Sequence, residues 1–113
     1  MLPKINRLRR KKDFERIFKK GKGFKEDLLF LKIIKNNLGL IRFGFVVSQK
    51  ISKKATVRNK IKRRLRAMIG KEIKKNETGF DILFIVSPGL EKKKFQDVEK
   101  IINKLLQKAG IKK

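Results

Sequence analysis

A long stretch of the chain carries positive charge with no acid to balance it. Between Leu28 and Lys71 the sequence contains thirteen Lys and Arg and no Asp or Glu, and the whole chain has a formal net charge of +24. Such an excess repels itself and opposes a compact state unless a polyanion neutralises it. Nucleic acid is therefore the first candidate partner, and an anionic membrane surface is the second.

Composition narrows the class of protein further. With 113 residues, of which 40% are hydrophobic, the chain can build one packed domain but hardly two. The sequence has no Cys and no His, which excludes disulfides, thiolate metal sites and the usual acid–base residue at neutral pH. No apolar run approaches the roughly 18 to 20 residues of a membrane-spanning helix, and the basic N-terminus lacks the apolar stretch of a signal peptide. We therefore predict a single cytoplasmic domain over residues 1–113, with residues 1–11 mobile in the free protein.

Hydrophobic periodicity predicts three helices and three strands. In the first helix, Phe14, Ile17 and Phe18 recur at helical spacing, with Asp13 as the predicted cap and Gly21 as the stop. The predicted elements are helix 13–20, strand 28–35, turn 36–39, strand 40–48, loop 49–56, helix 56–75, strand 80–86, turn 87–89 and helix 91–108. The apolar stripe of the last helix consists of Phe95, Val98, Ile102, Leu105 and Ala109. This α-β-β-α-β-α order is typical of a small α+β sandwich with helices on one sheet.

The strand over 40–48 has two unlike faces. One face is wholly apolar and consists of Ile41, Phe43, Phe45 and Val47. The other face is small and polar, with Arg42, Gly44, Val46 and Ser48 at alternate positions. Either the first helix simply covers this second face, or the face is the floor of a binding cleft.

The helix over 56–75 combines a packing face with a cationic face. At about 100° per residue, one arc holds Ile61, Leu65, Met68, Ile69 and Ile73. The opposite side holds Asn59, Lys60, Arg63, Arg64 and Arg66, while Lys62 lies on the border and Arg58 points toward the apolar arc in the first turn. The preceding loop extends the patch through Lys50, Lys53 and Lys54. A solvated surface helix is the plain alternative, but such helices usually intersperse acids that pair with their cations, and none occurs here.

The stretch "KISKKATVRNKIKRRLR", residues 50–66, resembles the Arg-Asn-Arg signature of the bacterial ribonuclease P protein subunit. The matching positions are Lys50, Ala55, Arg58, Asn59, Ile61, Lys62, Arg63 and Arg66. The resemblance extends to "LRRKKDFERIFKKGK" at 8–22, "RFGFVVSQK" at 42–50 and "GFDILFIV" at 79–86. The chain departs from the family pattern at Ala67, where a Glu is frequent, and at Ser87-Pro88, where a basic residue is frequent.

The resemblance implies both a fold and a function. The implied fold is that of the second domain of ribosomal protein S5, with a left-handed crossover between the strands at 40–48 and 80–86, against the usual right-handed rule. The implied function is that of the accessory subunit of an endoribonuclease whose catalyst is RNA. The protein would bind this RNA through the signature helix and loop, and the single-stranded 5′ leader of precursor tRNA in a cleft beside the first helix.

The resemblance also implies the partners and the site residues. The expected partners are ribonuclease P RNA and precursor tRNA, with no membrane and no obligate protein partner. No cofactor is expected in the protein, no residue of the chain is expected to be catalytic, and the Mg²⁺ of the holoenzyme is expected on the RNA. The predicted RNA-binding residues are Lys50, Lys53, Lys54, Arg58, Asn59, Lys60, Lys62, Arg63, Arg64 and Arg66. The predicted leader cleft consists of Phe14, Phe18, Arg42, Gly44, Val46 and Ser48.

Several residues, and the function itself, have an alternative interpretation. Phe14 and Phe18 are either core residues or platforms that stack on unpaired bases. Asn59 caps the first turn, contacts RNA, or acts as an outer-sphere partner of a metal ion. A nuclease that works without RNA would need clustered carboxylates, whereas the ten acids of this chain are scattered. A ribosomal or nucleoid protein is the stronger rival: composition alone would favour it, whereas the spacing of the signature residues argues against it.

Overall fold

The computed structural model of the protein describes residues 6–72 and 79–111. Its helices are α1 (Lys11–Lys20), α2 (Ala55–Glu72) and α3 (Phe95–Lys108), and a short 3-10 helix spans Leu90–Lys92. Its strands are β1 (Lys22–Glu26), β2 (Leu29–Lys35), β3 (Ile41–Val47) and β4 (Phe80–Val86). The three predicted strands and three predicted helices are all present, and the end of the helix predicted over 56–75 lies outside the described residues.

Strand β1 is the element that the sequence analysis missed. It pairs antiparallel with β2, so that Phe24 lies opposite Leu31 and Gly23 opposite Lys32. The segment KGFKE has one apolar residue among charges and glycine, so it shows no strand-like alternation and resembles a turn. A charged edge strand of this kind is a common protection against edge-to-edge association. A Cβ at Gly23 would lie 2.8 Å from the Phe30 ring, so the ring would have to shift to accept a larger residue there.

The four strands form one mixed sheet in the order β1-β2-β4-β3. Strands β2 and β4 are antiparallel, and β3 and β4 are parallel neighbours connected through α2. A parallel pair needs such a crossover, and the α+β sandwich predicted from the sequence is confirmed. The left-handedness of the crossover stays a prediction of the family resemblance.

The main core lies between one face of the sheet and helices α2 and α3. The sheet contributes Leu29, Leu31, Ile33, Ile41, Phe43, Phe45, Val47, Ile82, Phe84 and Val86. Helix α2 contributes Leu65, Met68 and Ile69, and Ile61 packs at the margin. Burying each side chain of this size stabilises the fold by about 1.5–3 kcal/mol. The predicted apolar arc of α2 is therefore its packing face, apart from Ile73, which lies outside the described residues.

Helix α1 covers part of the opposite face of the sheet. Its Ile17 is fully buried and packs with Leu8 and Leu83. Gly21 ends the helix as predicted, since its N–H donates to the Ile17 carbonyl at 2.8 Å. The predicted capping role of Asp13 is wrong: the N-cap is Arg10, and the Asp13 carboxylate lies 3.4 Å from the Arg42 guanidinium instead.

The segment before α1 runs along the outer edge of β3. The Leu8 N–H donates to the Phe43 carbonyl at 2.7 Å, and the Asn6 side chain donates to the Ile41 carbonyl at 2.7 Å. Within residues 6–10, these hydrogen bonds and the buried Leu8 side chain attach the segment to β3, and the mobility expected for residues 1–11 stays a prediction. Residues 1–5 lie outside the described part of the chain.

Helix α3 begins four residues later than predicted, at Phe95, because residues 90–92 form the 3-10 helix. Val98, Ile102 and Leu105 are buried as the stripe predicts. Phe95, the first residue of this stripe, is 52% exposed at the first turn of α3 and is not part of the buried core. None of the helices in the described part of the chain combines the length and the hydropathy needed to cross a bilayer.

Candidate nucleic-acid interface

The basic loop is tied to the start of α2 by local hydrogen bonds. The Ser52 hydroxyl accepts from the Lys54 N–H at 3.2 Å, and the Arg58 guanidinium donates to the Ser52 carbonyl at 2.9 Å. The Lys54 carbonyl in turn accepts hydrogen bonds from the N–H groups of Val57 and Arg58 in the first turn of the helix. The first turn of α2 contains no acid that would neutralise the positive end of the helix dipole. Lys50, Lys53 and Lys54 are exposed beside this end.

The outward side of α2 is cationic and open to solvent. Asn59, Lys60, Arg63 and Arg64 are all exposed, as the helical angles predict. Ion pairs in the described part of the chain involve cations of other elements, and none includes a Lys or Arg between Lys50 and Arg66. Because the opposite, apolar face of α2 packs on the core, the outward side of the helix presents a row of cations that no carboxylate of the described residues neutralises.

Arg66 does not lie where the helical angles placed it. Its guanidinium lies over the Phe45 ring, 5.6 Å from the centroid, and the side chain is half-buried. At 100° per residue, Arg66 lies only about 60° from the buried Ile69, at the margin of the apolar arc, so its side chain reaches the Phe45 ring of β3. Burial and the nearby charge of Arg7 lower the pKa of Arg66, and its Nε is buried with no hydrogen-bond partner.

Lys62 lies between the two arginines of this flank. Partial burial is the main cause that lowers its pKa below the usual lysine value, and the charges of Arg66 and Arg58 add to the effect. Three like charges are therefore held side by side in a partly desolvated position. An anion bound there would relieve the repulsion and supply the missing hydrogen-bond acceptors.

The cleft predicted from the sequence lies on the sheet face that α1 covers only in part. Phe14 packs on Gly44, and a Cβ at Gly44 would lie 2.9 Å from the Phe14 ring. Phe18 is 44% exposed, and the Lys32 ammonium lies 5.6 Å from its ring centroid. The same ammonium donates to the Phe18 carbonyl at 2.8 Å, which fixes the C-terminal turn of α1 above the sheet.

Strand register shows which side chains share this face of the sheet. Val46 lies beside Ile85, and Ile85 lies beside Phe30, so one row of three apolar side chains crosses the sheet. All three are partly exposed, as is Ser48. Val46 and Ser48 were predicted on this face from the sequence, whereas Phe30, Ile85 and Lys32 were not. Alternation along residues 28–35 would have put Phe30 and Lys32 on one face, but only the register shows which face that is.

Arg42, also predicted to line the cleft, is held by carboxylates. Its Nε and one terminal nitrogen donate to the two oxygens of Asp81 at 2.8 and 2.6 Å, and Asp13 lies on its other side. The hydrogen bond to Asp81 is the main cause that raises the pKa of Arg42. Asp81 also accepts from the Asn36 side chain at 2.7 Å. A phosphate would have to compete with these partners for Arg42, so its role in binding stays a prediction.

Comparison with known proteins decides the family. The sequence profile of the family described as Ribonuclease P matches residues 2–110. The chain belongs to the ribonuclease P protein family. A curated Ribonuclease P protein component from Clostridium botulinum (strain 657 / Type Ba4) is 35% identical over 109 residues, which cover 96% of this chain and 97% of the relative. Another from Pseudanabaena sp. (strain PCC 6903) is 37% identical over 112 residues, covering 98% and 97%.

Solved structures of ribonuclease P proteins have the same fold. The protein from Thermotoga maritima matches with a TM-score of 0.77 at 35% identity, covering 90% of this chain and 96% of that one. The protein from Staphylococcus aureus matches with a TM-score of 0.85 at 26% identity, covering 96% and 98%. The family assignment made from residues 50–66 is therefore confirmed.

Proposed function

We propose that this ribonuclease P protein binds the RNA subunit of the enzyme through the outward side of α2 and the loop before it. The observation that carries the proposal is the row of cations between Lys50 and Arg66, which form no ion pair within the described residues. Like charges four residues apart destabilise a helix by a few tenths of a kcal/mol per pair, and an RNA backbone would reverse that sign. Releasing counterions from the phosphates would supply much of the affinity.

The second part of the proposal concerns the 5′ leader of precursor tRNA. The leader would lie across the row Val46, Ile85 and Phe30, beside the exposed ring of Phe18. Apolar and aromatic surfaces stack on any base, at about 1–3 kcal/mol per base, so such a cleft suits a subunit that accepts many leader sequences. The flank of Arg58, Lys62 and Arg66 lies by the same edge strand and would hold leader or RNA-subunit phosphates.

The chemical step is assigned to the RNA. Family membership makes the chain part of an endoribonuclease, and the described residues contain no cluster of three or more acids that fits a metal ion. We propose that the Mg²⁺ of the holoenzyme is held by the RNA. The role left to the protein is to bind and orient the leader, so that the scissile phosphodiester lies in the RNA active site.

Reconstitution of the enzyme tests the proposal. The full chain is mixed with a bacterial ribonuclease P RNA at a Mg²⁺ concentration where that RNA alone is slow, and removal of the leader from precursor tRNA is followed. We expect strong stimulation by the mixture and no cleavage by the protein alone. The absence of stimulation, with binding to the RNA equally absent, would refute the proposal and favour a ribosomal or nucleoid protein.

A further inference from the structure

A groove separates α2 from the N-terminal part of α3, on the side of α2 away from β3. It has a volume of about 450 Å³. Its walls are mainly apolar and include Ile61, Leu65, Met68, Leu90, Phe95 and Val98. Leu65, Met68, Leu90 and Val98 are buried in the core, so the groove has a rigid base rather than a loose surface.

Phe95 forms the wall of the groove on the α3 side. More than half of its surface is exposed, although it is one of the largest side chains in the chain. An exposed aromatic ring beside a preformed apolar groove is unlike the single surface apolar residues that every protein carries. The ring is positioned to contact a flat ligand that enters the groove.

The rim of the groove carries one cation that is available to a ligand. Lys93 lies 3.0 Å from the Asp27 carboxylate, and both oxygens of Glu91 accept from the Gly89 N–H, at 3.2 and 3.0 Å. Arg64 is exposed and takes part in none of the ion pairs of the described residues. Glu91 is held by its own turn and keeps its negative charge, while Arg64 is the cation of the rim that forms no ion pair within the described residues.

We propose that the groove receives one unpaired nucleotide of the RNA partner. Its base would lie against the Phe95 ring and the apolar walls, and its phosphate would pair with Arg64. The proposal rests on the RNA binding proposed above, because Arg64 belongs both to the outward cationic side of α2 and to this rim. That continuity, together with the net charge of +24, favours a nucleotide over an apolar protein segment.

The first test measures binding of the full chain to ribonuclease P RNA over a series of salt concentrations. Phe95→Ala should weaken binding about 5- to 150-fold, the range expected for one lost stacking contact, with no change in the salt dependence. The matched control is Leu38→Ala, which removes an equally exposed apolar side chain (55%) from the turn between β2 and β3 and should leave affinity unchanged.

A double-variant cycle asks whether Phe95 and Arg64 hold the same nucleotide. If they do, the combined Phe95→Ala and Arg64→Gln variant should lose less than the product of the two single losses, because either change alone already releases the nucleotide. Losses that multiply would show two independent contacts and overturn the shared site.

A spectroscopic test does not depend on affinity. The chain contains no Trp, so Phe95→Trp introduces a single fluorophore at the groove. A base stacked on the indole should quench its emission when the RNA binds, whereas inorganic polyphosphate, which has no bases, should not. Leu38→Trp, the control fluorophore, should respond to neither polyanion.

The outcomes separate this inference from the proposed function. If the wild-type chain does not bind the RNA, the proposed function fails. If the wild-type chain binds but Phe95→Trp is not quenched and Phe95→Ala binds normally, the groove assignment alone is overturned. Quenching by polyphosphate, or by an acidic peptide and not by RNA, would also overturn it, since the groove would then respond to charge or to another class of partner.

Discussion

Replacing Asp81 with Asn should destabilise the protein by about 3 kcal/mol. Asp81 is fully buried, and its two oxygens accept from the Arg42 guanidinium at 2.8 and 2.6 Å. Removing one partner of a buried ion pair usually costs about 3–5 kcal/mol, because the other charge stays buried without compensation. Arg42 keeps Asp13 at 3.4 Å and is itself 16% exposed, so the lower end of that range applies. For a domain of this size, the melting temperature should fall by about 10–15 °C.

The matched control is Asp27→Asn. Asp27 also pairs with a cation, Lys93 at 3.0 Å, but 43% of its side chain is exposed, so its loss should cost less than about 1 kcal/mol. Both variants raise the net charge by one, and Asn tolerates the positive φ of 52° at position 27. Thermal unfolding followed by far-ultraviolet circular dichroism suits a chain without Trp or Tyr. Equal and small losses in the two variants would refute the argument that burial makes the Asp81 pair important.

Three further predictions concern the candidate interface. Lys62→Gln should stabilise the free protein by about 0.5 kcal/mol, because it removes repulsion from Arg58 and Arg66, and should weaken RNA binding. Folding lowers the pKa of Lys62, so the protonated ammonium destabilises the folded protein at every pH below the folded-state pKa. As the pH rises from that pKa to the usual lysine value, the ammonium loses its proton and the destabilisation disappears. The stability gained by Lys62→Gln should therefore decrease over the same pH range. A gain that persists at high pH would contradict this reasoning. Arg63→Ala should reduce the slope of log affinity against log salt for RNA binding by about 0.7–0.9, unlike Lys100→Ala on α3, and an unchanged slope would remove Arg63 from the contacts. Phe18→Ala should reduce holoenzyme affinity for leader-bearing precursor more than for mature tRNA; equal losses for both RNAs would assign Phe18 to packing alone.

Local pattern predicted the elements that have strong periodicity. The positions of Leu65, Met68 and Ile69 on one arc of α2 follow from the helical period, so their burial could be predicted without tertiary information. Strand β1 could not, because KGFKE carries one apolar residue and is held by pairing with β2 rather than by its own propensity. The register of β2, β3 and β4, which brings Val46, Ile85 and Phe30 into one row, likewise depends on pairings between distant segments.

The sequence by itself determined that this protein is a small basic α+β domain with a cationic helix and belongs to the ribonuclease P family. Only the tertiary structure decided which groups cations such as Arg42 and Arg66 contact. Arg42 and Asp81 are 39 positions apart in the chain, and their pairing follows from the parallel register of β3 and β4. Arg66 lies over the ring of Phe45, a residue of β3, and Phe95 stays exposed although it is the first residue of the apolar stripe of α3. The physical reason is that the face of a helix on which a residue lies follows from local spacing along the chain. The group that a charged or aromatic side chain contacts depends instead on how distant segments pack together.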